Sequence, residues 1–154
     1  MEDRERNFGF LLKEVSRRYV NRFEVRAAEI PVTLAQAKAL VRLQKNEGVS
    51  QARLAELAEV DPMTMVRILD RMEAEGLLER RPDPTDRRAR CLYLTAKARP
   101  ILGEIWRLCD EIRGEMFAGV SRAEREQFMT VLERLHDNIS QLEGLAPSTA
   151  GAQC

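Results

Sequence analysis

The fold is decided by residues 61–97, which run DPMTMVRILDRMEAEGLLERRPDPTDRRARCLYLTAK. Asp61 can cap the start of a helix, and Pro62 suits the first helical turn, where its missing N–H costs nothing. Apolar residues then recur at spacings of three and four, which is typical of a helix with one buried face. Gly76 suits the left-handed position that follows a helix end. The stretch therefore predicts a helix that begins at Asp61 and stops before Gly76.

Two short strands and a basic loop follow this helix. Residues 77–81 are short and extended, and residues 90–95 alternate between two faces, as a strand does. Residues 80–90 contain five arginines and two aspartates, a net charge of +3. A winged helix-turn-helix needs this order, because its helix lies in the DNA major groove while the hairpin loop reaches the neighbouring backbone or minor groove. The alternative is a solvated hairpin on an ordinary domain.

The residues before this stretch predict the other helices of the unit. Thr33 and Gln36 form a capping box that opens a helix, and Ser50 can cap a short helix over residues 51–57. A short helix, a tight turn and a second helix make the helix-turn-helix, in which the second helix carries the groove-facing residues.

Long amphipathic helices flank this unit on both sides. The first, over residues 8–29, has an apolar stripe made of Phe8, Leu11, Leu12, Val15, Tyr19 and Phe23. After the wing, Thr95 is expected to cap a helix towards residue 117, and Pro100 implies a kink or a later start. Ser121 and Glu124 form a capping box for a last helix. We expect these helices to pair with those of a second copy, although plain packing within one chain is the alternative.

The sequence thus predicts a mainly α fold with a small β-hairpin wing, a winged helix-turn-helix whose terminal helices form a dimerisation domain. Residues 33–97 are the predicted DNA-binding lobe. Residues 8–30 and 98–143 are the predicted dimerisation region, and residues 145–154 a disordered tail.

Composition limits the other possibilities. The 154 residues carry no net charge and are 44% hydrophobic, which suits one folded core and argues against a histone-like basic coat. No apolar run approaches the ~20 residues that span a membrane, and the charged N-terminus lacks a signal-peptide pattern, so a cytoplasmic protein is expected.

The sequence contains few residues that could carry out catalysis or bind a metal. His136 is the single histidine, and no metal-ligand cluster, phosphate-binding loop or acidic pair is visible, so we expect neither an enzyme nor a bound metal or cofactor. Three widely spaced cysteines form neither a disulfide framework nor a metal motif. Cys91 and Cys109 lie in apolar patterns and are expected to be buried and inert, whereas Cys154 lies in the tail.

Three segments resemble the MarR family of bacterial transcription regulators, and most closely its SlyA-like branch. These are the wing TDRRAR followed by LYLTAKARPIL, the helix and strand MVRILDRMEAEGLLERR, and the final LERLHDNISQL, and the similarity covers about residues 8–143. The resemblance implies a homodimer that binds double-stranded DNA at a pseudo-palindromic operator. It further implies that Asp86 pairs with Arg88 to brace the wing, and that Arg87 enters the minor groove, where a narrow A·T-rich tract attracts arginine.

The same resemblance assigns the major-groove contacts. Thr64 and Arg67 match base-facing positions, and an arginine can form two hydrogen bonds with guanine. Arg71, Ser50 and Gln51 are expected at backbone phosphates. The full predicted DNA-binding set is Ser50, Gln51, Met63, Thr64, Arg67, Arg71, Asp86, Arg87, Arg88 and Arg90. The alternative for Arg67 is a surface arginine that pairs with Asp70.

Members of the family often bind small anionic aromatic acids between the DNA-binding lobe and the dimer helices. By resemblance, Lys13, Arg17, Arg18 and Lys38 are the candidate residues for such a carboxylate, although arginines on an amphipathic helix are more often its solvated face. The expected function is a dimeric DNA-binding repressor that is relieved by such an effector. Two alternatives remain, an effector-independent activator that displaces a silencing protein, and a winged-helix module that binds proteins.

Overall fold

The structure, a computed structural model, describes residues 6–86 and 88–142. The tail predicted at residues 145–154, which includes Cys154, lies outside the described residues. The elements in chain order are α1 (Phe8–Ala27), α2 (Leu34–Lys45), α3 (Gln51–Leu57), α4 (Pro62–Ala74), β1 (Leu78–Pro82), β2 (Arg90–Leu94), α5 (Ala98–Met116) and α6 (Arg122–Leu142). This is the predicted winged-helix fold. None of the helices in the described part of the chain combines the length and apolar character that a membrane-spanning segment needs.

Local capping sets the starts of the three helices of the helix-turn-helix region. Thr33 and Gln36 form the predicted capping box at α2. The Ser50 hydroxyl accepts from the Arg53 N–H at 3.2 Å, and the Asp61 carboxylate accepts from the Thr64 N–H at 2.9 Å. Each cap satisfies an N–H that the helix itself leaves without a partner, so these predicted helix starts are confirmed.

The turn between α3 and α4 contains one unusual backbone conformation. Glu59 has a φ of +52°, in the left-handed region, while the Val60 N–H donates to the Ala55 carbonyl at 3.0 Å. A side chain at such a φ meets steric strain that glycine would avoid. At the end of α4, by contrast, the left-handed residue is the predicted Gly76, with a φ of +73°.

The two strands form an antiparallel hairpin in which Leu78 pairs with Leu94 and Pro82 with Arg90. A third segment lies against β2: the Leu92 N–H donates to the Val49 carbonyl at 3.0 Å, and Ser50 bridges Cys91. This segment therefore forms an isolated bridge to β2 and not a third strand.

The predicted role of Thr95 as the cap of the next helix is wrong. Its hydroxyl donates to the Gly76 carbonyl at 2.6 Å, which ties the end of β2 to the turn after α4. Helix α5 begins later, at Ala98, so Pro100 falls in its first turn, where proline is tolerated. The later start that Pro100 implied is confirmed. The Ser121–Glu124 capping box is also present at the start of α6.

The chain divides into two compact units, Met1–Cys109 and Asp110–Cys154. The first contains the hydrophobic core of the winged helix. Its largest fully buried side chains are Leu40, Leu43, Leu54, Met65, Leu69, Met72, Leu78, Leu92, Ile105 and Leu108. Within this unit, the Trp106 indole N–H donates to Gln44 at 2.9 Å and so joins α5 to α2.

Both units also leave large apolar side chains exposed along one helix each. On α1 these are Phe8, Phe10, Leu11, Leu12, Val15 and Val25, and on α6 they are Phe128, Met129, Val131, Ile139 and Leu142. The apolar stripe that the sequence predicted for α1 is therefore largely uncovered, and only its last member, Phe23, is buried.

Candidate nucleic-acid interface

Helix α4 presents one buried and one exposed face. Met65, Leu69 and Met72 are fully buried, as their spacing predicted. The opposite side carries the predicted DNA-binding residues Met63, Thr64, Arg67 and Arg71, all of which are exposed. The core therefore fixes which face of α4 is turned to solvent.

Arg67 lies in the middle of this exposed face. No hydrogen bond or ion pair joins its side chain to any residue that the structure describes. Asp70, its expected partner as a surface arginine, is bound by Arg80 instead, at 2.6 Å. The guanidinium of Arg67 is consequently available to an external acceptor.

Arg80 is a positioning residue that the sequence patterns did not reveal. Its guanidinium forms ion pairs with Asp70 and Glu73 of α4, and it donates to Gln51 of α3 at 3.1 Å. Only 18% of its side chain is exposed. This one arginine thus joins β1 of the wing to both helices of the helix-turn-helix, and it directs one terminal nitrogen to each of the two carboxylates.

Ser50 and Gln51 lie at the N-terminus of α3. The Ser50 hydroxyl caps the helix, and the Gln51 side-chain oxygen accepts from Arg80. Because the oxygen is engaged in this way, the amide N–H groups of Gln51 remain as the donors that this side chain can offer to a phosphate.

Arg71 is held by two successive hydrogen bonds between side chains. Its Nε donates to Glu75 at 2.9 Å, and the other carboxylate oxygen of Glu75 accepts from Gln36 of α2 at 3.1 Å. Gln36 is 3% exposed and also completes the capping box at Thr33. The start of α2 and the end of α4 are thereby connected, and Arg71 is oriented at the surface.

The wing loop is organised by Asp83, another residue that the sequence patterns did not single out. Its carboxylate accepts from the Thr85 hydroxyl at 2.6 Å, from the Thr85 N–H at 2.7 Å and from the Asp86 N–H at 3.1 Å. These hydrogen bonds, first those from Thr85, hold the pKa of the Asp83 carboxyl far below its ordinary value. Asp83 therefore stays charged and keeps the loop folded.

Asp86 meets Arg88 through the backbone rather than through an ion pair. One carboxylate oxygen of Asp86 accepts from the Arg88 N–H at 2.9 Å. The Arg88 side chain stays exposed, as does that of Arg90. Arg87, the predicted minor-groove residue, lies outside the described residues.

Cys91 lies beneath the wing at the start of β2. It is 6% exposed, and its thiol donates to Asp83 at 3.3 Å. This hydrogen bond to a carboxylate, together with burial, raises the pKa of the Cys91 thiol. The thiol therefore remains protonated, as expected of an inert structural cysteine. Cys109 is buried as well.

The four candidate ligand residues, Lys13, Arg17, Arg18 and Lys38, are all exposed. Arg17 and Arg18 both bind Glu14, and their hydrogen bonds, first those of Arg17, lower the pKa of that carboxyl. A cavity of about 470 Å³ lies elsewhere, at the turn from α1 to α2, and none of the four lines it. Its walls are Glu24, Ala27, Ala28, Ile30, Pro31, Val32, Thr33, Leu34, Gln36 and Arg71.

Comparison with known proteins matches the centre of the chain to a family. The model of the MarR family matches residues 32–89, which include α2, α3, α4 and β1. A MarR-family transcriptional regulator from Silicibacter pomeroyi is similar in structure, with a TM-score of 0.73 and 27% identity over 85% of this chain and 88% of its own.

Two further structures add information on ligands. CouR, a transcriptional repressor bound to a 23-mer DNA duplex, has a TM-score of 0.70 and 28% identity over 82% of this chain and 90% of its own. BpsR of Bordetella bronchiseptica, whose DNA binding is described as regulated by 6-hydroxynicotinic acid, has a TM-score of 0.69 and 27% identity over 84% and 92%. Residues 32–89 therefore match the model of the MarR family, and the chain shares its fold with solved MarR-family regulators.

Proposed function

We propose that the protein is a homodimeric, sequence-specific DNA-binding repressor that acts in the cytoplasm. The observation that carries the proposal is Arg67, which is exposed at the centre of the outer face of α4 and has no partner among the described residues. The structural similarity to CouR, a repressor bound to DNA, supports it. Because its wing contains the TDRRAR motif, we propose that the chain belongs to the SlyA-like branch of these regulators.

In the proposed complex, α4 lies in the major groove. Thr64 and Arg67 contact base edges there, and Met63 lies beside them at the helix start. Ser50, Gln51 and Arg71 bind the phosphates on either side and so fix the position of the helix. On the wing, Asp86 holds the loop while Arg87 enters the minor groove and Arg88 and Arg90 face the backbone. Residues 33–97 form the DNA-binding lobe.

The proposed dimer interface uses residues 8–30 and 98–143. Helices α1 and α6 each leave a row of large apolar side chains exposed, and contiguous exposed apolar surface of this kind marks an interaction site. A two-fold dimer also places two copies of α4 about one DNA turn apart, which matches a pseudo-palindromic operator.

A small aromatic carboxylate is the proposed effector, and it weakens DNA binding. The regulation of BpsR by 6-hydroxynicotinic acid supports this chemical class. Lys13, Arg17, Arg18 and Lys38 are the proposed cations for the carboxylate group.

The proposal is tested by a footprint of the full-length protein on the promoter of its own gene, with salicylate and 6-hydroxynicotinic acid as effector probes. We expect protection of an inverted repeat whose half-sites are about 10 base pairs apart, and loss of protection when an effective acid is added. Light scattering should give a dimer at micromolar concentration. A monomer, or binding that does not distinguish the promoter from random duplex, would contradict the proposal.

A further inference from the structure

Arg80 and Arg67 are linked through one carboxylate. Asp70 lies three residues after Arg67 on α4, so the two side chains project from the same side of the helix. In the structure, however, Asp70 bonds to Arg80 of β1 at 2.6 Å. Arg80 also pairs with Glu73 and is largely buried, whereas 61% of the Asp70 side chain is exposed. Asp70 is therefore paired with the wing strand, and no ion pair joins it to Arg67.

The spacing between Arg67 and Asp70 is one at which this chain forms ion pairs elsewhere. Arg53 pairs with Glu56 at 2.8 Å, and Arg26 pairs with Glu29, in each case with the acid three residues after the arginine. Without Arg80, the nearest cation on the same helix face as Asp70 would be Arg67. An arginine held by a carboxylate has fewer N–H groups left to donate to a base.

We propose that Arg80 determines sequence specificity indirectly, by holding Asp70 so that the guanidinium of Arg67 is free to bind a base. Arg80 acts as a positioning residue and touches no base itself. The inference rests on the proposed function, because it requires that Arg67 contacts DNA.

The test measures discrimination, which is the ratio of Kd values for two duplexes in fluorescence anisotropy. One duplex is the footprinted operator, and the other carries a replacement at the base pair where Arg67→Ala relaxes the preference. Wild type should discriminate by about tenfold or more. Arg80→Met should lower the ratio about twofold, because Asp70 then pairs with Arg67 and a pair at this spacing competes only weakly with the base.

Second-site variants identify the carboxylate responsible. Arg80→Met combined with Asp70→Asn should recover the wild-type ratio, because asparagine carries no charge to hold Arg67. Arg80→Met combined with Glu73→Gln should not recover it, because Glu73 is six residues from Arg67 and is not its neighbour on the helix surface. Both double variants lack the same arginine and differ only in which acid is neutralised.

Arg81→Met is the matched control. Arg81 is the next residue of β1, is 55% exposed and pairs with Glu79 of the same strand, so its loss should leave discrimination unchanged. Thermal unfolding establishes that each variant is folded. If Arg80→Met is not, Arg80→Ile, a residue that favours strands and has no group that can bond to Asp70, replaces it in every comparison.

Two results would overturn the inference while leaving the proposed function in place. One is a variant at Arg80 that discriminates as wild type does. The other is failure of Asp70→Asn to restore discrimination, which would mean that Arg80 contacts DNA itself or sets the position of α4. If instead Arg67→Ala relaxes the preference at no base pair, the proposed placement of α4 is what fails.

Discussion

The guanidinium of Arg80 on β1 lies 2.6 Å from a carboxylate oxygen of Asp70 on α4. This ion pair joins the strand that carries the wing to the helix that carries the candidate base contacts. A displacement of the wing strand must therefore be accompanied by a displacement of α4, or the ion pair is lost. The two proposed DNA-binding parts are thus linked directly by this ion pair.

Arg67→Ala should relax the base preference at one position in each half-site. The expected loss is about 1–3 kcal/mol of discrimination between bases, because the bidentate hydrogen bonds to guanine are removed. A selection from randomised operators, followed by anisotropy, measures it. Arg42→Ala, at an exposed position on α2 that carries none of the proposed contacts, is the control and should keep the wild-type preference. A wild-type base preference in Arg67→Ala would contradict the assignment.

Arg87→Ala should weaken binding by a similar factor for every operator sequence. If Arg87 lies in the minor groove, its loss should also lower the slope of log K against log salt by about 1. Arg122→Ala removes the same charge from α6, where the side chain is 92% exposed, and should leave both quantities unchanged. Equal effects from the two variants would show that net charge alone governs the affinity.

Asp61→Ala should lower the free energy of unfolding by about 1 kcal/mol, because it removes the cap of α4. The Asp61 carboxylate accepts both from the Thr64 N–H at 2.9 Å and from the Thr64 hydroxyl at 3.2 Å. Urea unfolding measures the change. Asp61→Asn keeps an oxygen acceptor and should lose only a small part of the stability. If Asp61→Ala is as stable as wild type, the cap contributes less than its geometry indicates.

Glu59→Gly should stabilise the protein by up to about 1 kcal/mol, because glycine relieves the strain of a left-handed φ in the turn before α4. Glu56→Gly, three residues earlier and inside α3, should do the opposite and destabilise by about 1 kcal/mol. Both are read from urea unfolding at the same pH. A loss of stability in Glu59→Gly would mean that the Glu59 side chain contributes more than its backbone strain costs.

Cys91 should react slowly with iodoacetamide in the native protein, because burial and the hydrogen bond to Asp83 keep the thiol protonated. Asp83→Ala removes that bond and should accelerate alkylation severalfold at neutral pH, as followed by mass spectrometry of the peptide that contains Cys91. Asp137→Ala, on α6, should leave the rate unchanged. Equally slow alkylation in Asp83→Ala would show that burial alone protects the thiol.

Much of this fold follows from short-range patterns. The caps at Thr33, Ser50 and Asp61 each join residues three apart, and the glycine at position 76 ends α4 within the same stretch of chain. Interactions of this range depend only on neighbours in sequence, so the sequence indicates them directly. The apolar spacing of α4 likewise determined which face is buried, and therefore that Arg67 is exposed.

Thr95 shows where such local patterns are insufficient. A threonine before a helical segment is typical of a cap, yet its hydroxyl donates to the carbonyl of Gly76, nineteen residues earlier. The hairpin brings these two residues together, and no local pattern in the sequence reports that proximity.

Patterns along the chain were sufficient to predict the order of the helices, the wing and the exposure of the candidate DNA-binding face, because periodicity and capping act between near neighbours. The contacts that hold that face in place became visible in the folded chain. Arg80 meets Gln51 across 29 residues, and Asp83 meets Cys91 across the hairpin. Such contacts depend on how separate elements pack, and packing brings together charges and polar groups whose separation along the chain gives no sign of it.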